Sequence, residues 1–289
     1  MGRKLKKTNN NLKALTIKEA VKKFRWSKIN PPQVELTLTF RCNLKCIHCY
    51  NDFVDYKQTA DPQFNKLIET IYSSYKSGAR FLTISGGEPT LYHKLVELIA
   101  VAKKIGYNYI LLLTNGIILD YNYLKRLYDN GLNIIKFSIH SDIENIHDKI
   151  TGLKNSYRRL INAIENSIKI GFYVEGNTVV TRLNYKTLPS LMKFLTKNYG
   201  ISTCIMYPHY YGNAASNIKD IAVSYSEHID YLKKSLEVLY NSKVKPSCHP
   251  LGNYPPCIIP GYEHLIQDWK SPSNTSIDRC YICLLYTSD

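Results

Sequence analysis

The sequence predicts an α/β protein: a partial, TIM-like barrel of six βα units, followed by a small, incomplete region that contains cysteines. Between residues 33 and 208, short β-branched or apolar runs alternate with helix-length amphipathic segments, as in βα units around a parallel sheet. Six strands are too few to close the eight-stranded barrel. The alternation stops after Tyr211-Gly212-Asn213, which indicates a boundary.

Each predicted strand is rich in β-branched and apolar residues. The first contains Val34, Leu36, Leu38 and Phe40, which alternate with polar residues and so predict one buried face. The others are Phe81 to Ile84, Tyr109 to Leu113, Ile134 to Ile139, Phe172 to Val180, and Cys204 to Tyr207. In such a barrel the active site lies at the carboxyl ends of the strands, so we expect the functional residues there.

Helices are predicted in the gaps between the strands. The first begins at Asp61-Pro62, because aspartate is a good N-cap and proline is favoured at the first helical position. Further helices are predicted over residues 91–105, 121–129, 156–169 and 187–198, and one more over residues 226–240 beyond the barrel.

The composition indicates a cytoplasmic globular protein. A chain of 289 residues can form one large domain, or a barrel of roughly 200 residues with an appendage. No apolar run approaches the ~20 residues that a membrane span needs, and the start MGRKLKKTNNNLK lacks the apolar segment of a signal peptide. The net charge of +15 permits nucleic-acid binding, but the excess lysine is spread thinly, and a solvated surface is the interpretation we favour.

Three of the eight cysteines form the most informative motif. Cys42, Cys46 and Cys49 lie in the run RCNLKCIHCY, directly after the first strand. Clustered cysteines in a cytosolic chain favour metal binding or catalysis over disulfides. Structural iron–sulfur clusters usually take four thiolates, so three thiolates can hold a cluster and leave one iron open to a cofactor or substrate.

Two other interpretations of this motif stay open. The spacing i, i+4, i+7 also fits one face of a helix with inert, buried cysteines, although the polar flanking residues do not suit a buried face. A zinc site would need a fourth ligand, such as His48 or a distant cysteine.

Three further loops fall on the same predicted rim. Gly86-Gly87-Glu88-Pro89 follows the second strand, Thr114-Asn115-Gly116 ends the third, and Ser138-Ile139-His140-Ser141 ends the fourth. Paired glycines often only form a tight turn, but they also permit a ligand to approach the backbone closely. Together with the cysteine motif, the glycine pair is a much stronger signal than either motif alone.

The motifs CNLKCIHCY and SGGEPTL, in this order, resemble those of the radical S-adenosylmethionine (radical SAM) superfamily, over residues 33 to about 210. The resemblance implies that Cys42, Cys46 and Cys49 bind a 4Fe–4S cluster whose fourth iron is chelated by S-adenosylmethionine. It also implies reductive cleavage of S-adenosylmethionine to a 5′-deoxyadenosyl radical that abstracts hydrogen from a substrate. The electron would come from an external reductant of the flavodoxin or ferredoxin type, and no catalytic side chain is assigned.

The same resemblance assigns residues to the methionyl and adenine ends of the cofactor. Gly86 and Gly87 would receive the methionyl ammonium group, while Glu88 and Pro89 shape the turn. His48 stands where the family usually places an aromatic ring that contacts the adenine. An imidazole can serve in that place.

Further cofactor contacts are implied on later strands. Ser138 and Asn177 match positions that contact the ribose and the carboxylate, and Met206 matches an adenine neighbour. Ser138 could instead cap the next helix, and Asn177 could be a solvated strand residue.

The carboxyl-terminal part contains a second group of cysteines. Cys257, Cys280 and Cys283 resemble the opening of a SPASM or twitch auxiliary-cluster region, which implies a second iron–sulfur cluster and a peptide or protein substrate. A zinc-binding C-x-x-C and plain core cysteines are the alternatives. The final residues, CLLYTSD, look like a translated sequencing adapter, so we expect a truncated fragment.

We expect three parts: a basic leader over residues 1–31, a radical SAM partial barrel over 32–212, and a helix with a truncated auxiliary-cluster region over 213–289. The expected activity is radical modification of a peptide or protein. Radical modification of RNA or a small molecule is the alternative, and a zinc-binding or electron-transfer module is the non-enzyme alternative.

Overall fold

The strands of the protein form one curled parallel sheet. The computed structural model describes residues 13–16, 19, 22–23, 32–51, 60–242, 244, 251–255, 258–260, 262 and 265. Within these residues, seven parallel strands make a half-barrel whose spatial order follows the chain. They are β1 Gln33–Thr37, β2 Phe81–Ser85, β3 Tyr109–Thr114, β4 Ile134–Ser138, β5 Tyr173–Val179, β6 Thr203–Met206 and β7 Leu251–Gly252. The predicted α/β class and partial barrel are confirmed.

The six predicted strands are all present, with ends that differ by a few residues. β1 ends at Thr37 rather than at Phe40, whose side chain is exposed. The sequence pattern does not predict β7, because two residues carry no periodicity. β7 pairs with β6 through Ile205 and Met206. The predicted boundary of the barrel domain at residue 212 stays a prediction. β7 comes after this boundary in the chain but belongs to the same sheet.

Helices connect most of the strands. They are α1 Phe64–Lys76, α2 Leu95–Ile105, α3 Tyr121–Asp129, α4 Glu144–Thr151, α5 Ser156–Ile170, α6 Leu188–Phe194, α7 Gly212–Ser216, α8 Ile218–Ile221 and α9 Tyr225–Asn241. The helix predicted over residues 91–105 is divided into a 3₁₀ turn, Pro89–Leu91, and α2, while α6 continues as a π-helical turn, Leu195–Tyr199. The pattern misses α4, α7 and α8, which are short. Among the described helices, none is long and apolar enough to cross a bilayer.

The predicted start of α1 at Asp61-Pro62 is wrong. The helix begins at Phe64, with Gln63 as the N-cap residue. The Asp61 carboxylate accepts a hydrogen bond from Thr39 Oγ1 at 2.8 Å and another from Arg41 Nε at 3.0 Å. The Asp61 side chain therefore binds residues of the loop after β1 and does not cap the helix.

Alternate residues of each strand face opposite sides of the sheet. On the outer side, Ile84, Leu112 and Ile135 are fully buried in the main core, which is shared with the helices. On the inner side lies a separate apolar cluster near the amino ends of the strands, and above it Lys136 Nζ pairs with Glu175 Oε2 at 3.3 Å. The lumen therefore has an apolar floor and a charged middle layer beneath the carboxyl rim.

Candidate cofactor site at the carboxyl rim

The cysteine motif lies in an irregular loop, residues 38–51, that follows β1 and is called the cysteine loop below. Residues 38–51 contain no helical segment, so the alternative of a helical cysteine face is wrong. Gly87 N–H donates to Thr39 O at 2.7 Å, and Glu88 N–H donates to Arg41 O at 2.7 Å. The loop and the turn after β2 therefore form one unit at the edge of the sheet.

The middle of the cysteine loop is fastened by later parts of the chain. Ile47 N–H donates to Ile150 O, near the end of α4, at 2.9 Å. Asn213 Nδ2, in α7, donates to Cys46 O at 2.7 Å. The loop thus contacts segments that follow β4 and β6 as well as the turn after β2.

An ion pair fixes the start of the loop from the side. Arg41 Nη2 pairs with Asp61 Oδ2 and also donates to Leu91 O at 3.1 Å, while Arg41 Nε donates to the second oxygen of Asp61. A guanidinium that meets a carboxylate through two nitrogens has a defined orientation. Arg41 therefore holds the backbone immediately before Cys42.

The three thiols of the loop lie close enough to influence one another electrostatically. Burial raises the pKa of Cys42 to about 11, and burial together with the neighbouring Cys42 and Cys49 raises the pKa of Cys46 well above its usual value. Burial also raises the pKa of Cys49. Among the described residues, no three His, Cys, Asp or Glu side chains are arranged to hold a metal ion. The three thiols are within electrostatic reach of one another, and a multi-iron cluster would bind them as thiolates and release their protons.

The two glycines of the turn are required by close backbone contact. A Cβ at Gly87 would lie 2.3 Å from Arg41 O, and a Cβ at Gly86 would lie 2.4 Å from Thr39 O. Gly86 also has a φ of +148°, which side-chain-bearing residues rarely adopt. The glycine pair therefore allows the turn to pack directly on the cysteine loop.

Glu88 is a buried carboxylate that joins the turn after β2 to the end of β3. Its Oε1 accepts from Thr90 N at 3.1 Å and from Thr114 Oγ1 at 2.7 Å, and its Oε2 accepts from Asn115 N at 2.8 Å. Burial raises the pKa of Glu88, against the effect of these donors. The carboxylate therefore acts as a structural link at this position.

Asn115 contacts the cysteine loop directly. Its Nδ2 donates to Asn43 Oδ1 at 2.7 Å and lies 3.9 Å from Cys42 Sγ. Its Oδ1 accepts from Ile117 N at 3.0 Å. The rim of β3 therefore supplies an amide beside the first cysteine of the motif.

Three histidines are packed between the cysteine loop and the segment after β4. The ring centroids of His48 and His140 are 4.4 Å apart, and those of His140 and His147 are 5.7 Å apart. His147 Nδ1 accepts from His140 N at 3.2 Å. Burial lowers the pKa of His48 to about 4 and that of His147 to about 4, and it lowers the pKa of His140 well below its usual value. The three rings are therefore neutral at physiological pH.

The structure places the later predicted cofactor residues on the inner face of the sheet. Ser138 and Asn177 are direct partners in the register between β4 and β5. Met206 pairs with Val179 of β5 and Gly252 of β7 in the register. Pro89 begins the 3₁₀ turn that follows Glu88. The roles of these residues toward a cofactor stay predictions.

Several residues of the site carry no decisive signal in the sequence. Asn43 and Arg41 lie inside the cysteine motif, where only the cysteines and His48 have an assigned role, and Asp61 has the signature of a helix cap. His147 is one of several scattered histidines, and the sequence does not pair it with His140. Cys257, Cys280 and Cys283 lie outside the described residues.

The residues present fit an iron–sulfur cluster with an additional ligand. Three sulfur donors are the preferred ligands of iron in such clusters. Two polar atoms beside them, Asn43 Nδ2 and His48 Nδ1, are buried and have no hydrogen-bond partner among the described residues. Buried donors and acceptors nearly always have a partner. A group bound at the loop would supply partners for both.

Comparison with known families defines the class of the protein. The model of the radical SAM superfamily matches residues 36–195, which run from the last two residues of β1 through the cysteine loop to the end of α6. The chain belongs to this superfamily and is an enzyme. Membership implies a 4Fe–4S cluster and S-adenosylmethionine as cofactors.

Within the superfamily, the chain is similar to proteins with different substrates. It is 26% identical over 198 residues to the Fe-coproporphyrin III synthase of Methanosarcina barkeri, covering 68% of this chain and 49% of that protein. It is 30% identical over 162 residues to a probable GTP 3′,8-cyclase of Methanocaldococcus jannaschii, covering 56% of this chain and 54% of that protein. It is 28% identical over 180 residues to the PqqA peptide cyclase of Methylobacterium nodulans, covering 62% of this chain and 47% of that protein. The chain spans about half the length of these relatives.

A solved structure shares the fold. Streptococcus suis SuiB, in a crystal structure with its precursor peptide SuiA, superposes with a TM-score of 0.62. The alignment covers 80% of this chain and 52% of SuiB at 15% sequence identity. At that identity the likeness concerns the architecture.

Replacing Gly87 by alanine should disturb the cysteine loop. Because the new Cβ would lie 2.3 Å from a backbone oxygen that cannot swing away, the loop must move. We expect Gly87→Ala to bind several-fold less iron after anaerobic reconstitution, measured as iron and sulfide per chain. Gly78→Ala is the matched control. An alanine there is strained by the φ of +106°, but its Cβ meets nothing within 4 Å, so this variant adds strain without a clash. Equal iron contents in the two variants would contradict this account of the turn.

The buried histidines should make the protein less stable in mild acid. Below about pH 6.5 the unfolded chain protonates His147, whereas the native state resists protonation until about pH 4. The free energy of unfolding should therefore fall with decreasing pH in this window, by up to ~1.4 kcal/mol per pH unit for this group. Urea unfolding from pH 7.5 to 4.5 should show a shallower fall in His147→Gln. An identical slope in the variant would show that His147 titrates alike in both states.

Proposed function

We propose that the protein is a radical SAM enzyme in which Cys42, Cys46 and Cys49 hold a 4Fe–4S cluster with one iron open to S-adenosylmethionine. The supporting observation is the position of three grouped thiols in an irregular loop that is fastened to the turn after β2 and to α7. When bound, the cluster and S-adenosylmethionine supply a 5′-deoxyadenosyl radical that abstracts hydrogen from the substrate.

The roles of the surrounding residues follow from their places on the rim. Gly86 and Gly87 bring the turn against the loop, and residues 86–89 would receive the methionyl end of the cofactor. His48 would contact the adenine from the cysteine loop, where its half-buried ring packs on His140. A neutral imidazole suits that task, because it places no buried charge beside an uncharged base.

The inner face of the sheet would hold the rest of the cofactor. Ser138 and Asn177, adjacent on β4 and β5, present a hydroxyl and an amide for the ribose and the carboxylate. Met206 on β6 provides an apolar contact for the adenine. The chain's own contribution is to orient the cofactor and to exclude water from it.

A peptide or protein is the substrate that we propose. The PqqA peptide cyclase acts on a peptide by its name, and SuiB was crystallised with a precursor peptide. Cys257, Cys280 and Cys283 would hold a second cluster, as in SPASM or twitch regions. The electron would come from a flavodoxin- or ferredoxin-type reductant, and we propose that the protein works in the cytoplasm.

A small molecule is the second candidate substrate. Relatives named GTP 3′,8-cyclase and Fe-coproporphyrin III synthase match a similar share of this chain. The charged pair of Lys136 and Glu175 inside the lumen would suit a polar molecule of that kind. An RNA substrate belongs to the same alternative.

The cofactor assignment is tested by removing one thiol. Anaerobically reconstituted protein should show the spectrum of a four-iron cluster and, on reduction, convert S-adenosylmethionine to 5′-deoxyadenosine. Cys46→Ala should abolish both, because the loop loses one of three ligands. Cys204→Ala, which removes a buried cysteine of β6 outside the loop, should retain the cluster. Stoichiometric zinc without iron, or unchanged turnover in Cys46→Ala, would rule the assignment out.

The substrate class is tested by following the abstracted hydrogen. Deuterated peptides encoded by short reading frames beside the gene should transfer deuterium into 5′-deoxyadenosine, as detected by mass spectrometry. Deuterated GTP and coproporphyrin should not. Transfer from either small molecule, with none from the peptides, would select the second candidate.

A further inference from the structure

The amide groups of Asn43 and Asn115 form a pair whose orientation is fixed by the backbone. Ile117 N–H donates at 3.0 Å to the side-chain atom of Asn115 that must therefore be the oxygen, Oδ1. The other end of this side chain is then the donor, Nδ2. It donates at 2.7 Å to Asn43, which must offer its own oxygen in return. One backbone N–H thus determines which way both amides face.

This orientation leaves one donor without an acceptor. Asn43 Nδ2 is buried and has no hydrogen-bond partner among the residues that the structure describes. Buried N–H groups are nearly always satisfied in native proteins. Asn43 follows Cys42 directly, so its free donor lies within the loop that carries the three thiols.

The first cysteine already has other N–H groups around it. Leu44 N–H donates to Cys42 Sγ at 3.5 Å, and Asn115 Nδ2 lies 3.9 Å from the same sulfur. Sulfur is a weak acceptor in a thiol, but it carries negative charge in a cluster and then attracts N–H groups. Hydrogen bonds to the sulfur atoms are one of the factors that set the reduction potential of a cluster.

We propose that Asn43 and Asn115 form an amide pair that donates hydrogen bonds to the sulfur atoms of the bound cluster and thereby raises its reduction potential. The proposal rests on the proposed function, since it requires the cluster to be held by this loop. The reduced cluster has one more negative charge than the oxidised cluster, so the donors stabilise the reduced form more. The pair thus makes the cluster easier to reduce by a physiological donor.

The fixed geometry explains why two asparagines are needed. The backbone N–H of Asn115 donates to Glu88 Oε2 at 2.8 Å, and this bond fixes the position of Asn115 on the rim of β3. Asn43 belongs to the loop and moves with the cysteines. The hydrogen bond between the two amides therefore aligns the loop donor with the scaffold.

The test is the midpoint potential of the reconstituted cluster without S-adenosylmethionine, measured by redox titration with EPR detection. Asn43→Leu removes the amide at similar volume and should give a more negative midpoint at unchanged iron content. Asn213→Leu is the comparison variant for the shape of the loop: it removes an amide that donates to a backbone oxygen of the same loop, Cys46 O, and should shift the midpoint less than Asn43→Leu does. ENDOR after exchange into D₂O should show an exchangeable deuteron coupled to the reduced cluster that Asn43→Leu lacks.

Other outcomes overturn the proposal in distinguishable ways. An unchanged midpoint in Asn43→Leu refutes it, and if weaker S-adenosylmethionine binding accompanies that result, the amide serves the cofactor instead. An equal shift in Asn213→Leu assigns the effect to the shape of the loop. If Asn43→Leu does not retain iron, Asn43→Ala is measured by the same criteria. Failure of the wild-type protein to form a four-iron cluster refutes the proposed function itself.

Discussion

The site depends on the backbone pairing between the cysteine loop and the turn after β2. Leu38 N–H donates to Ser85 O as the last regular contact of the two strands, and Gly87 and Glu88 then donate to the loop at Thr39 and Arg41. These contacts place the chain before Cys42 directly over the turn after β2, which contains Gly86 and Gly87. Any side chain at Gly87 would occupy the space of the Arg41 carbonyl. The packing of the turn against the cysteine loop is therefore sufficient to explain the two glycines.

Glu88 extends this arrangement from the second strand to the third. A carboxylate that accepts from two backbone N–H groups and two hydroxyls is well satisfied although it is buried. The same oxygen that holds Asn115 N–H sets the position of the Asn115 amide beside Cys42. The motif Gly-Gly-Glu-Pro thus acts on the loop twice, once through its backbone and once through its carboxylate.

The sequence predicts those features that depend on local pattern. Alternating apolar runs locate β1 to β6, because this signal is complete within a few residues. The spacing of the three cysteines is equally local, and it draws attention to the cysteine loop. Features that depend on partners distant in the chain are missed. Asp61 has the signature of a helix cap, yet it binds Arg41, twenty residues earlier in the chain. β7 and α4 are too short for their periodicity to be distinguished from a loop.

The histidine group illustrates the same limit within the site. His48 is predicted as an adenine contact because of its place in the motif, but its packing against His140 depends on the path of the chain after β4. His147 then accepts from the backbone of His140 across the start of α4. Only the fold brings these three rings together, and burial in that position determines their neutral state.

The cysteine loop also connects parts of the rim that the sheet leaves separate. A half-barrel lacks the closing strand pairs that fix the curvature of a complete barrel, so its two ends can change their distance. The loop starts at β1, contacts Asn115 after β3, pairs with Ile150 in α4, and binds Asn213 after β6. At its far end, a Cβ on Gly212 would lie 2.4 Å from Tyr50 O, so α7 approaches the loop as closely as the glycine turn does. The loop anchored at these points therefore ties the edge strand β1 to the segments that follow β3, β4 and β6.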